Sequence, residues 1–176
     1  MLFPRDILQQ CRELVAGAQA AGVKVTVAES CTGGLLAAAI TALEGSSAIF
    51  DYGFVTYANA AKEDLLYVRK ATLETYGAVS CETAEEMAIG ARKHADAHIA
   101  VAITGIAGPG GGTPEKPVGL VCFACACGEH GVTRAVLRFG NIGRDEVRLE
   151  SVRQALAMLL EALDRRAGGP SLLLGG

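Results

Sequence analysis

The sequence predicts an α/β fold, a three-layer α/β/α sandwich with a mixed, largely buried central sheet. Short β-type runs at 23–27, 51–57, 98–104 and 118–127 are interleaved with segments of helical periodicity. The run His98-Ile-Ala-Val-Ala-Ile-Thr104 is apolar almost throughout, as a strand covered on both faces should be. The hydrophobic fraction of 51% comes mainly from Ala, Val, Leu and Ile, with 5% aromatics and no Trp, which suits helices packed closely on a sheet. At 176 residues the chain is long enough for one well-filled core and short for two, so residues 1–166 read as a single domain, with 167–176 as a flexible tail.

In chain order, Ile7, Leu8, Cys11, Leu14, Val15 and Ala18 mark a helix over 6–21 that stops at Gly22. Val23, Val25 and Val27 alternate with polar residues as a strand does, and after Gly33-Gly34 an Ala/Leu-rich run reads as a helix to about Leu43. A second strand follows over 51–57. Asn59 is a plausible cap for a helix over 60–66, Thr72 for one over 73–76, and Ser80 for one whose inner face carries Ala84, Met87, Ala88 and Ala91. After the strand at 98–104 comes Gly105-Ile-Ala-Gly-Pro-Gly-Gly-Gly-Thr-Pro-Glu-Lys-Pro117, a long Gly-rich loop of the kind that usually serves function. Strands at 118–127 and 132–139 form a hairpin, and 144–163 is an amphipathic helix.

Charge and composition exclude several classes. Sixteen basic against nineteen acidic residues give a net charge of −3 without a basic block, so no nucleic-acid partner is expected. Apolar runs are short and the first residues lack a signal-peptide pattern, so no membrane association and a cytoplasmic location are expected. The six cysteines then read as reduced thiols. Cys122, Cys125 and Cys127 lie in an apolar strand with no completing ligand, and read as core residues rather than a metal site. No metal or cofactor is expected, and a homo-oligomer is compatible with the sequence.

Two loops follow strand ends, at Ser30 and at 104–117, and in an open α/β sheet such loops share a cleft. The Ser30 turn feeds a helix whose first amides would make an anion or oxyanion site, with Gly33 and Gly34 allowing close approach to the backbone. Ser30 is either an N-cap or a nucleophile; it sits in no Gly-x-Ser-x-Gly or Ser-x-x-Lys motif. The three histidines are poorly placed for a triad. Lysine can act as base if its pKa falls from about 10.4 towards roughly 7 to 8. Lys62, in the first turn of its helix, is either a solvated surface cation or such a lysine, because the positive helix end disfavours its charge. Cys31 is a rival nucleophile, and Tyr57 either passes a proton, orients a ligand or is structural. The Gly-rich loop is either an anion cradle or a rigid connector.

Six blocks extend this reading: Ala28-Glu-Ser-Cys-Thr-Gly-Gly34, Gly53-Phe-Val-Thr-Tyr-Ala-Asn-Ala-Ala-Lys62, Gly77-Ala-Val-Ser80, Ala102-Ile-Thr-Gly-Ile-Ala-Gly-Pro-Gly-Gly-Gly112, Lys116-Pro-Val-Gly119 and Phe139-Gly-Asn-Ile-Gly-Arg144. In order and spacing they resemble the CinA C-terminal domain family, the PncC-type nicotinamide mononucleotide deamidases, in its stand-alone form. The resemblance implies hydrolysis of the carboxamide of nicotinamide mononucleotide to nicotinic acid mononucleotide and ammonia, in pyridine nucleotide salvage, by a Ser/Lys amidohydrolase without metal. It implies Ser30 as nucleophile, Lys62 as general base and Tyr57 as an assisting residue. With this substrate, Thr32, Gly33 and Gly34 are expected around the reacting group, and Thr104, Gly105, Gly108, Gly110 and Arg144 around the ribose phosphate. Ala58, where the family often has serine, and Cys81 depart from the pattern without removing an assigned group.

Overall fold

A computed structural model describes residues 2–168; of the expected tail, 169–176 lie outside the described residues. Among those described, six α-helices accompany five strands in the order β2-β1-β3-β4-β5. β1 (Val25–Glu29) lies between β2 (Phe50–Val55) and β3 (Ile99–Gly105), parallel to both. β4 (Leu120–Ala126) and β5 (Val132–Arg138) add an antiparallel hairpin, which makes the sheet mixed, as expected.

Side-chain alternation on β3 explains the layers. Ile99, Val101 and Ile103 face a core shared with α1 (Arg5–Ala21), α2 (Leu35–Thr41) and α6 (Arg144–Arg166), where Leu14, Leu36 and Leu156 are fully buried. Ala100 and Ala102 face the opposite core, shared with α3 (Asn59–Leu66), α4 (Lys70–Tyr76) and α5 (Cys81–His94). Small side chains on that face let α5 approach closely, and the helix–sheet–helix sandwich follows. Among the described residues no helix is long and apolar enough to cross a membrane.

Most element boundaries fall near the sequence expectation, and the exceptions have local causes. Val23 closes the cap that follows α1: beyond Gly22, which is in the left-handed conformation, its amide donates to the Ala18 carbonyl (2.8 Å), and the first strand starts at Val25. Ala58, not Asn59, precedes the first residue of α3, and Arg69, not Thr72, precedes α4; neither helix has a side-chain cap. Ser80 does cap α5, its hydroxyl accepting from the Thr83 amide. Cys122 faces the α5 side of the sheet while Cys125 and Cys127 face α6, so the three thiols do not converge.

Candidate active site

At the carboxyl end of β1 the backbone is gripped from both sides. The Thr56 amide donates to the Glu29 carbonyl (2.9 Å) and the Ser30 amide to the Ile103 carbonyl (3.0 Å). Ser30 is therefore presented at a fixed height above the sheet. Across the gap, α3 delivers Lys62, whose side chain is 1% exposed, and its Nζ lies 3.1 Å from Ser30 Oγ. The same Nζ donates to the carbonyls of Thr56 (2.8 Å) and Tyr57 (3.3 Å), which precede the helix. Among the described residues no carboxylate pairs with it. Burial pushes the amine below its ordinary 10.5, against an opposing contribution from Cys31. The solvated-surface reading of Lys62 is thus overturned, and burial is the leading cause of its displaced pKa.

One cavity of about 260 Å³ collects most of the residues singled out in the sequence. Ser30, Tyr57, Lys62, Thr104, Gly105, Gly108, Gly110 and Arg144 all line it. Thr32, Gly33 and Gly34 do not line it. The reason lies in Glu29, a fully buried carboxylate. It accepts from the amides of Gly34 (3.2 Å), Leu36 (3.1 Å) and Ala37 (2.8 Å), so the start of α2 already holds an anion, contrary to expectation. The Gly33 amide is also taken, by the Ser30 carbonyl (3.1 Å). Gly34 immediately precedes α2, so Ser30 is not its N-cap. Of the amides from Cys31 to Gly34, those of Cys31 and Thr32 donate to no other residue among those described.

Tyr57 sits elsewhere than a proton relay requires. Its ring is 61% exposed and its hydroxyl accepts from Arg144 Nη2 (3.1 Å), while only its backbone carbonyl meets Lys62. Arg144, the first residue of α6, also donates from Nη1 to the Gly108 carbonyl (2.8 Å), tying the Gly-rich loop to the cavity rim. The loop is pinned at its far end by Lys116 Nζ on the Tyr76 carbonyl (2.6 Å). It is therefore both a rigid connector and a cavity wall. Thr104 Oγ1 donates to the Ala78 carbonyl (2.7 Å), fixing the segment before α5 that supplies Ala78 and Val79 to the apolar wall.

Cys31 lines the cavity, but burial, with the Glu29 charge adding, pushes its thiol up to about 12. Such a thiol is not a ready nucleophile near neutrality. His98 Nδ1 accepts from the Lys24 amide and His94 Nδ1 contacts the Leu65 carbonyl, so neither joins the cavity. Glu29 and Arg148 were missed from sequence. The signals were a carboxylate just before the Ser30 turn, and an arginine four residues after Arg144 on the same helical face.

Fold and cavity together define an α/β domain with a buried lysine against a serine at the carboxyl end of a parallel strand, the topological position where such sheets collect ligands. The chain belongs to the CinA C-terminal domain family, whose model matches residues 8–163. A nicotinamide-nucleotide amidohydrolase PncC from Enterobacter agglomerans is 53% identical over 139 residues, 79% of this chain and 84% of that protein. A putative competence-damage inducible protein of Thermoanaerobacter sp. is 52% identical over 75% of this chain, which spans only 32% of that longer protein. The crystal structure of the competence/damage inducible protein CihA from Agrobacterium tumefaciens superposes with a TM-score of 0.90 at 52% identity, covering 92% of this chain and 98% of that one.

Proposed function

We propose that this protein is a cytoplasmic amidohydrolase that converts nicotinamide mononucleotide to nicotinic acid mononucleotide and ammonia, with Ser30 as nucleophile and Lys62 as general base. The observation that carries this is the 3.1 Å approach of a buried, carboxylate-free Nζ to Ser30 Oγ. A neutral amine has two N–H groups and one lone pair. The carbonyls of Thr56 and Tyr57 accept the two N–H groups, which leaves the lone pair for the Ser30 hydroxyl hydrogen. The relative from Enterobacter agglomerans, named for amide hydrolysis on a nicotinamide nucleotide, supports the substrate.

Lys62 takes the Ser30 proton as Oγ attacks the carboxamide carbon. The oxyanion develops against the Cys31 amide, whose residue lines the cavity and which donates to no other residue among those described, such a donor contributing about 2.7–4 kcal/mol in comparable sites. As the tetrahedral intermediate collapses, protonated Lys62 gives its proton to the amide nitrogen, the C–N bond breaks and ammonia leaves. Lys62 then takes a proton from a water as its oxygen attacks the acyl carbon, and returns it to Ser30 Oγ as the C–O bond breaks; the released acid ionises to the carboxylate. Arg144 and the loop glycines face the phosphate, since a guanidinium grips phosphate bidentately. Tyr57, hydrogen-bonded to Arg144, orients the ligand rather than carrying the proton. None of these steps calls on a cofactor.

The test is ammonia release from nicotinamide mononucleotide. Lys62→Ala is expected to lose about 10²–10⁴-fold in kcat, the range for removing a general base, and Ser30→Ala, which removes the nucleophile, at least as much. Cys31→Ala is expected to stay near wild type. A wild-type protein that binds the nucleotide without releasing ammonia would make this a binding module, and loss confined to Cys31→Ala would make the thiol the nucleophile.

A further inference from the structure

Two charged side chains outside the cavity lining hold the Ser30 turn from behind. Glu29 takes the amides at the start of α2, as described. Arg148, on α6 and half-buried, donates from Nη2 to the Thr32 carbonyl (2.9 Å). From there an unbroken path of peptide groups leads to the reacting centre. The Thr32 carbonyl belongs to the peptide whose amide is Gly33 N, and that amide donates to the Ser30 carbonyl (3.1 Å). The Ser30 carbonyl belongs to the peptide whose amide is Cys31 N, which donates to no other residue among those described.

Cys31 is the residue after the serine, and in other serine hydrolases the amide at that place is an oxyanion donor. A hydrogen bond received at a carbonyl draws electron density through its peptide and makes the attached N–H a stronger donor, and such bonds reinforce one another in series. A guanidinium at the head of the series is a permanent positive charge. Arg148 is also close enough for its charge to act on the Cys31 thiol.

We propose that Arg148 is a positioning residue that acts through the Thr32 and Ser30 peptides to orient and polarise the Cys31 amide for the oxyanion. This rests on the reading of Ser30 as nucleophile. Arg148 does not line the cavity and its Nη2 is committed to the turn, so its part differs from that of Arg144, which meets the cavity directly.

The experiment compares wild type, Arg148→Met, Arg148→Lys and Ser30→Ala in two assays: ammonia release from nicotinamide mononucleotide, and phosphonylation of the serine by a small neutral fluorophosphonate. Arg148→Met is expected to lose about tenfold in kcat with KM within about twofold, a fraction of what removing a whole donor costs. Phosphonylation, whose P=O oxygen occupies the same donor, is expected to slow by the same factor. Arg148→Lys keeps a charge and one donor and is expected to lose only about two- to fivefold in both, so it decides the matter even if Arg148→Met does not fold. A raised KM with unchanged kcat would make Arg148 a phosphate ligand. A lowered Tm with wild-type kcat and phosphonylation would make it a mere strut; either result overturns the proposal. Undiminished ammonia release by Ser30→Ala would instead overturn the underlying assignment of the nucleophile.

Discussion

At the scale of one residue, the proposed chemistry centres on Lys62. Its amine is buried, its partners are neutral, and its pKa falls below 10.5 mainly through desolvation. As the proposed base it must be unprotonated, so kcat/KM for nicotinamide mononucleotide is expected to rise with pH through a value below 10.5, which initial-rate measurements across pH would show. The same displacement links to stability. Between the folded pKa and 10.5 the unfolded chain holds the proton and the folded chain does not, so unfolding free energy rises with pH in that window. The stability of wild type relative to Lys62→Met is therefore expected to increase from neutral pH towards pH 10.5, as denaturant titrations at several pH values would report. Ser30 and Lys62 were legible as chemistry because each sat at the junction of two secondary-structure patterns. Glu29 was not, because nothing in a local sequence window says that a strand-end carboxylate will fold back onto amides five to eight residues ahead.

Between elements, the controlling contact is α3 on α5. Gly90 on α5 is buried, and a Cβ there would stand 1.8 Å from the Leu66 carbonyl oxygen and 2.6 Å from its carbon at the end of α3. Backbone cannot yield as a side chain does, so α3 must move away and carry Lys62 with it. Gly90→Ala is expected to destabilise by about 1–3 kcal/mol or more and to lower kcat well beyond the loss of folded protein, as paired thermal melts and ammonia assays would show. Helix and strand identities were readable from periodicity because each segment buries one face or two. Caps were less readable: Asn59 and Thr72 have the right chemistry, but α3 and α4 begin without a side-chain cap. Ser80 was readable because its hydroxyl does accept from the amide three residues on.

Over the whole molecule, the sheet order could not be read from sequence, since parallel neighbours are chosen by pairings among strands far apart in the chain. β1, β2 and β3 are brought side by side, and their carboxyl ends gather Ser30, Tyr57 and Thr104 around the cavity. The larger core under α6 is the reservoir of stability, and Leu156 is fully buried in it, many residues along α6 from Arg144. Leu156→Ala is expected to cost about 2–5 kcal/mol and leave kcat of the folded fraction unchanged, checked by denaturant unfolding alongside initial rates. The opposite core, poor in large side chains, brings α3 and α5 in close, and Lys62 on α3 is buried. Titration of the Lys62 side-chain nitrogen by NMR is the most direct test of that consequence. The expected result is a pKa below 10.5 that coincides with the rise in kcat/KM; a Lys62 that keeps its proton throughout the pH range in which the enzyme turns over would contradict it.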